Sequence, residues 1–356
     1  MCADEIVQRV ARIWAPRFTA NGVDPNDFAA TTAAIETWEG WLDGWTALAD
    51  RYEERAIEAE GRGRLRSAGE FYRHASIALH FGEFVWFEDL ERHNQAARRS
   101  AWLMRRSLAL LDPSAERLEI PFDGAKLVAN LRKPAGVRRP PVVILIPGLD
   151  SSKEEFCNFE EVFLARGMAT VALDGPGQGE TLQWLPMQPD YERPAAALID
   201  ELEKRDDLAP GAVGALGMSL GGYFVVRAAA GEPRIRALVG LSGPFSVPGW
   251  LAAGISDISR DALRVKVGAT DEEDLLRLVQ PFDLELVIDG LTQPALLVTG
   301  RLDRVIPWEQ TELQAKRAPN AEFVIFEEGT HVLNNMPAVV RPLLADWMQE
   351  QLAQYS

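Results

Sequence analysis

A serine, a histidine and an aspartate in this 356-residue chain occur where they could share one proton relay. Ser219 lies in Gly217-Met218-Ser219-Leu220-Gly221-Gly222, between the apolar run VGAL and the segment YFVVRAAAG. Glycines two before and two after a serine on a sharp strand-to-helix turn let neighbouring backbone cross close by, the pattern of a nucleophile elbow. A serine hydroxyl is a weak nucleophile until a base takes its proton. Of the four histidines, His74, His80 and His93 lie in the N-terminal third, and His331 falls in EEGTHVLNN, directly after the last apolar run, which makes it the expected base. An acid must then orient the imidazole and stabilise its protonated form. Asp303 sits in the loop after PALLVTG and gives the chain order Ser, Asp, His; Asp283 and Asp289 precede that run and read as solvated loop carboxylates. Attack on a carbonyl builds an oxyanion that needs preorganised N–H donors. The backbone of Leu220 is one candidate and that of Leu149, in the loop after VVILIP, is the other, with Gly148 letting the backbone approach a substrate closely.

Such residues must be carried by defined elements. Beyond Asp112 and Pro113, short apolar runs alternate with helical segments, and strands are expected at 117–121, 126–131, 142–146, 169–173, 213–217, 237–241, 295–299 and 322–326. The first two alternate like a hairpin; the later ones are continuous, as in strands buried on both faces of a parallel sheet layered by helices. Open sheets of this kind place their chemistry in loops at the carboxyl ends of strands. Residues 1–115 follow a different grammar: they hold no lysine, carry six of the 10 tryptophans and repeat apolar residues every three or four positions. That spacing predicts helices. Trp38, Trp41, Trp45 and Leu48 mark one face, Phe71, Ile77, Phe81, Phe84 and Phe87 another, with Gly61 and Gly63 punctuating between them. The tryptophans read as the core of a helical domain, because aromatics at helical spacing pack between helices. The expected domains are therefore 1–115, all helical, and 116–356, α/β, with 244–290 as a small helical insertion.

Charge narrows the partners. The net charge of -16, from 53 acidic against 37 basic residues, disfavours nucleic acid and anionic membrane surfaces. Cys2 and Cys157 are too few for a disulfide framework or a four-cysteine zinc site, and a reducing, cytoplasmic setting is expected, with neither metal nor cofactor. The acidic start MCADEIVQRVARIW has no secretory pattern, and no apolar run approaches the roughly 20 residues of a membrane span. The partner expected is a small molecule. GPFSVPGWLAAGIS at 243–256 bears no charge before Asp257, so a neutral aromatic or polyketide-like acyl group is expected, with Phe245 and Trp250 as candidate wall residues.

With triad order and loops in hand, the chain resembles the α/β-hydrolase superfamily over residues 117–356, and more narrowly the 2,6-dihydroxypseudooxynicotine hydrolase group, with its FrsA-like and fungal polyketide-shortening relatives. GLDSSKEEF at 148–156, RGMATVALDGPGQGE at 166–180, GMSLGGYF at the elbow and ALHFGEFVWFEDL at 78–90 carry this likeness. The DGPGQGE glycines, Gly175, Gly177 and Gly179, have GxGxG spacing rather than GxGxxG, so a dinucleotide loop is excluded and turns near the active-site mouth are expected. The resemblance implies an eight-stranded, mostly parallel sheet with an N-terminal helical lid, hydrolysis of carbon–carbon bonds in 1,3-diketone-like or polyketide side chains, and a homodimer. It also makes His80, in ALHFGEF, a candidate substrate partner, beside the plainer reading of a satisfied structural histidine. The same triad would cleave an ester or amide. Epoxide hydrolase and dehalogenase chemistry would need a carboxylate at 219, and a non-catalytic binding protein would be expected to have lost the triad.

Overall fold

The computed structural model describes residues 3–355, so Cys2 lies outside the described residues. The chain divides into two compact units, residues 1–115 with Glu154–Asn158, and Glu116–Lys153 with Phe159–Ser356.

Among the described residues the first unit has five helices: α1 (Ala3–Ala20), α2 (Pro25–Ala34), α3 (Trp41–Gly61), α4 (Leu65–Glu83) and α5 (Leu90–Leu111). Trp41, Trp45 and Leu48 form the buried stripe of α3, while Trp38 precedes the helix and accepts the Trp86 indole N–H on its carbonyl at 3.0 Å. Gly63 ends α3: at φ +70 it lets the Arg64 N–H return to the Ala59 carbonyl at 2.9 Å, capping the helix. Along α4 every residue from Ala75 to Glu83 is buried, and Phe84, expected on its face, lies just beyond its end. The Phe18 ring stacks on Phe81 at 3.9 Å and meets Trp45 at 5.1 Å, so the aromatics form an internal core.

The second unit is built on one eight-stranded sheet. Its strands are β1 (Glu116–Phe122), β2 (Ala125–Arg132), β3 (Val142–Ile146), β4 (Ala169–Asp174), β5 (Val213–Met218), β6 (Ile235–Leu241), β7 (Ala295–Gly300) and β8 (Ala321–Phe326). They lie in the order β1-β2-β4-β3-β5-β6-β7-β8, with β1 and β2 antiparallel and β3 to β8 parallel. All residues of β3, β4 and β7 are buried, as continuous apolar runs require. The helices are α6 (Glu161–Leu164), α7 (Glu192–Glu203), α8 (Leu220–Gly231), α9 (Val247–Ala252), α10 (Asp257–Lys266), α11 (Glu272–Leu278), α12 (Trp308–Arg317) and α13 (Pro337–Leu352). Of these, α9, α10 and α11 occupy the insertion between β6 and β7. The chain turns to β4 on one side of β3 and to β5 on the other, so the loops after β3 and β5 diverge at a switch point, where open α/β sheets form a crevice. Among the described residues, no helix is long and apolar enough to cross a membrane.

Candidate active site

Ser219 stands between β5 and α8 with φ +58 and ψ -127, a conformation that costs on the order of 1–3 kcal/mol for a residue with a Cβ. The surrounding glycines make that turn sterically accessible. A Cβ on Gly217 would lie 1.9 Å from the Gly221 carbonyl oxygen, one on Gly221 would lie 2.3 Å from that of Ile146, and one on Gly222 would lie 2.7 Å from the Gly243 Cα. They are required for close approach of backbone, since none of the three has a positive φ.

His331 Nε2 lies 2.9 Å from Ser219 Oγ, and its Nδ1 lies 2.7 Å from Asp303 Oδ2. The Asp303 side chain is fully buried, and its Oδ1 accepts the N–H groups of Val305 at 2.8 Å and Ile306 at 3.0 Å. The structure thus brings Ser219, Asp303 and His331 into one hydrogen-bonded line. Asp283 and Asp289 are elsewhere: Asp283 accepts the Ser246 hydroxyl, and Asp289 pairs with Arg317. The loops carrying Asp303 and His331 are locked together, with the Leu302 N–H on the Gly329 carbonyl at 2.9 Å and no room for a Cβ on Gly300, which would sit 2.2 Å from that same oxygen.

Ser242, at the end of β6, is a contributor with no signature in the sequence. Val332, directly after His331, is β-branched yet has φ +55, and its N–H donates to Ser242 Oγ at 3.2 Å. That hydrogen bond holds a strained turn next to the imidazole.

Gly148 lies against the elbow, because a Cβ there would be 2.9 Å from Ser219 Cβ and 3.4 Å from Ser219 Oγ. Leu149 follows it, and Leu220 opens α8, where first-turn N–H groups have no carbonyl of their own helix to bind. The loop after β3 is held by the DGPGQGE segment. Asp174 accepts the Lys153 backbone N–H and its ammonium, each at 2.8 Å, and Lys153 also pairs with Glu180 at 2.7 Å. Burial alone would raise the Glu180 carboxyl, but Lys153 and Arg117 bring it down to about 2. The glycines divide the work: Gly177 and Gly179 have positive φ, whereas a Cβ on Gly175 would lie 2.3 Å from the Tyr191 hydroxyl.

Three other expected positions fall as follows. Trp250 is buried, with its indole N–H donated to the Val305 carbonyl at 2.8 Å, so it braces the Asp303 loop. Phe245 is buried, its N–H on Gln310 at 3.0 Å. His80 is wholly buried within the helical unit, where both ring nitrogens meet carboxylates, Glu83 at 3.3 Å and Glu155 at 3.1 Å. The imidazole is thus engaged on both sides, as a satisfied structural histidine would be. Among the described residues no group of three or more His, Cys, Asp or Glu side chains is placed to hold a metal ion.

A strained serine at the switch point of a mostly parallel sheet, with histidine and aspartate on the last two strand loops, defines a hydrolase of the α/β class. The chain belongs to the alpha/beta hydrolase family, whose model matches residues 143–343. It is 32% identical over 314 residues to the 2,6-dihydropseudooxynicotine hydrolase of Paenarthrobacter nicotinovorans, covering 88% of this chain and 84% of that protein. The crystal structure of the 2,6-dihydroxy-pseudo-oxynicotine hydrolase superposes with a TM-score of 0.87 at 30% identity, over 95% of this chain and 96% of that one. The fungal hydrolase LUC6 of a Fusarium species is 32% identical over 66% of this chain and 63% of its own length.

Proposed function

We propose that this α/β-hydrolase is a serine hydrolase that cleaves a carbon–carbon bond next to a ketone in a 1,3-diketone-like aromatic or polyketide side chain. The observation that carries the reading is the continuous relay from Asp303 through His331 to Ser219, at 2.7 and 2.9 Å. Ser219 Oγ adds to the ketone carbonyl as its proton passes to His331 Nε2, and Asp303 holds the imidazole and balances its charge. The oxyanion is met by the N–H groups of Leu149 and Leu220. Collapse of the tetrahedral adduct breaks the carbon–carbon bond, and the departing carbanion, delocalised as an enolate, takes the proton from His331. Water, deprotonated by the same imidazole, then releases the acyl group as a carboxylic acid and restores the serine.

The choice of a carbon–carbon bond rests on the group the sequence resembles and on the match to a hydrolase named for a pseudooxynicotine. That match spans 314 residues, more than the sheet unit contains, so it extends into the helical residues. The uncharged run 243–256 supports a neutral acyl group.

The test is product analysis by mass spectrometry after incubating wild type and Ser219→Ala with an aryl 1,3-diketone and the aryl ester of the same acyl group. Cleavage of the diketone that depends on Ser219 is the expected result. Ester cleavage alone moves the protein to the carboxylesterase reading, and turnover by Ser219→Ala at the wild-type rate overturns the triad.

A further inference from the structure

One donor of the oxyanion site depends on the peptide joining Gly148 to Leu149, and a glycine offers little resistance to rotation of the peptide that follows it. We propose that Gln178 is a positioning residue that fixes this peptide, with Tyr191 fixing Gln178; the proposal rests on the oxyanion assignment above. Gln178 is fully buried and its amide orientation is forced by its surroundings. The Gly175 N–H, which can only donate, lies 3.0 Å from one end of the amide, and the Pro147 carbonyl, which can only accept, lies 2.5 Å from the other. The end facing Gly175 is therefore the oxygen, and it also accepts the Tyr191 hydroxyl at 2.8 Å. Burial, and the Asp174 carboxylate after it, push the Tyr191 phenol well above its ordinary range, which keeps its proton available for that bond.

The nitrogen end faces two consecutive carbonyls of the loop after β3. It donates to Pro147 at 2.5 Å and reaches the Gly148 oxygen at 3.5 Å. On its other side the Pro147 oxygen abuts the elbow, where a Cβ on Gly221 would come within 2.7 Å of it, so this carbonyl is held between the elbow and Gln178. In a planar trans peptide the carbonyl and the following N–H point in opposite directions. Drawing the Gly148 carbonyl towards Gln178 therefore turns the Leu149 N–H away from Gln178. The reversed peptide would present a carbonyl oxygen where a donor is needed, and an acceptor there would repel the oxyanion it should stabilise.

The test uses the full chain, whichever compound of the diketone and ester pair the wild type turns over, and phenylboronic acid, which forms a tetrahedral adduct on an activated serine. For Gln178→Ala and Gln178→Glu, kcat falls about 10- to 100-fold with KM nearly unchanged, and affinity for the boronate falls in parallel. A buried glutamic acid can donate once protonated, so the deficit of Gln178→Glu relative to wild type shrinks as pH falls, while that of Gln178→Ala does not. Tyr191→Phe keeps the ring stacked on Phe224 and removes only the hydroxyl, lowering kcat and boronate affinity about threefold. It decides the matter if the Gln178 variants do not fold. Loss of kcat with unchanged boronate affinity, or an unchanged Tyr191→Phe enzyme, overturns the proposal. Ser219→Ala separates the two levels: full turnover there brings down the functional reading and this proposal with it, whereas full loss there beside unaffected Gln178 and Tyr191 variants overturns this proposal alone.

Discussion

His331 and His80 each have partners on both ring nitrogens, and they differ in what those partners are. His331 lies between a carboxylate and a hydroxyl, Asp303 and Ser219. His80 lies between two carboxylates, Glu155 and Glu83, and the line continues in both directions: Arg17 forms two 2.6 Å bonds to Glu155, and His93 approaches Glu83 at 3.2 Å. Burial would lower the His80 pKa, but the hydrogen bonds and charges of Glu155 and Glu83 outweigh it and bring it up to about 9. Burial likewise pushes Glu155 up, yet Arg17 and His80 hold it well below the usual carboxylate range. His80 is thus a buried cation in an alternating series of charges, already carrying the proton a general base would have to accept. A histidine beside a carboxylate is therefore no signature of catalysis by itself. At His331 the second partner is instead a hydroxyl on a strained turn, which under the proposed function gives the imidazole a proton to take.

The largest expected effect breaks the comparison if it fails. Ser219→Ala and His331→Ala should each lower kcat by about four orders of magnitude or more while leaving the urea midpoint close to wild type, as steady-state kinetics and denaturation would show together. His80→Leu should do the reverse. It leaves Glu155 and Glu83 buried without the cation between them, at a cost of about 3–5 kcal/mol of stability, while kcat of the folded enzyme stays within about threefold of wild type. A His80→Leu enzyme of native stability whose kcat has collapsed would place His80 in the chemistry and remove the distinction.

Titration sharpens the same contrast. The folded-state pKa of His80 lies above its ordinary 6.5, so the stability it contributes is complete below about 6.5 and is lost as pH rises through about 9. Denaturant unfolding of wild type should weaken by up to about 3 kcal/mol across that window, and His80→Leu should lack this component. A wild-type stability that is flat from neutral pH to about 10 would mean that His80 is not held as the cation.

The parts of this architecture that could be read in the chain are those whose signals are local. Alternation in the first two runs and continuous apolarity in the later six located the eight strands to within a residue or two, and a strand buried on both faces, as β3, β4 and β7 are, must be largely apolar. Ser219, Asp303 and His331 could be singled out because each follows a strand, and the structure brings them within hydrogen-bonding distance of one another. What escaped is polar and joined over long distances. Arg17 and Glu155 are separated by 138 positions, and His80 and Glu155 by 75, so no spacing rule pairs them. Glu155 stands in GLDSSKEEF, in the loop after β3, yet its segment packs as part of the helical unit. Gln178 was hidden between the conspicuous glycines of DGPGQGE, since hydropathy reads a glutamine as surface and cannot foresee an amide whose two ends both find partners. The resemblance in ALHFGEF directed attention to His80 but not to its partners, the carboxylates that the fold brings to it.

Trp250 offers the finest test of how closely the hydroxyl-facing histidine must be held. Its apolar neighbours in GPFSVPGWLAAGIS suggest a pocket wall, but the indole N–H is spent on the Val305 carbonyl at 2.8 Å, two residues beyond Asp303. The Val305 N–H in turn donates to Asp303 Oδ1, so a single residue is held by the tryptophan on its carbonyl and by the acid on its amide. Trp250→Phe keeps an aromatic ring and removes that donor, leaving a buried carbonyl short of a partner at a cost of about 1–2 kcal/mol. If the brace sets the angle at which Asp303 meets His331, kcat should fall about threefold to tenfold with KM nearly constant, because small misplacements of a relay are felt in the transition state. If Trp250 is a pocket wall, the change should appear in KM and depend on the size of the acyl group. Measuring both constants for two acyl chain lengths separates a side chain that orients the acid from one that touches the substrate.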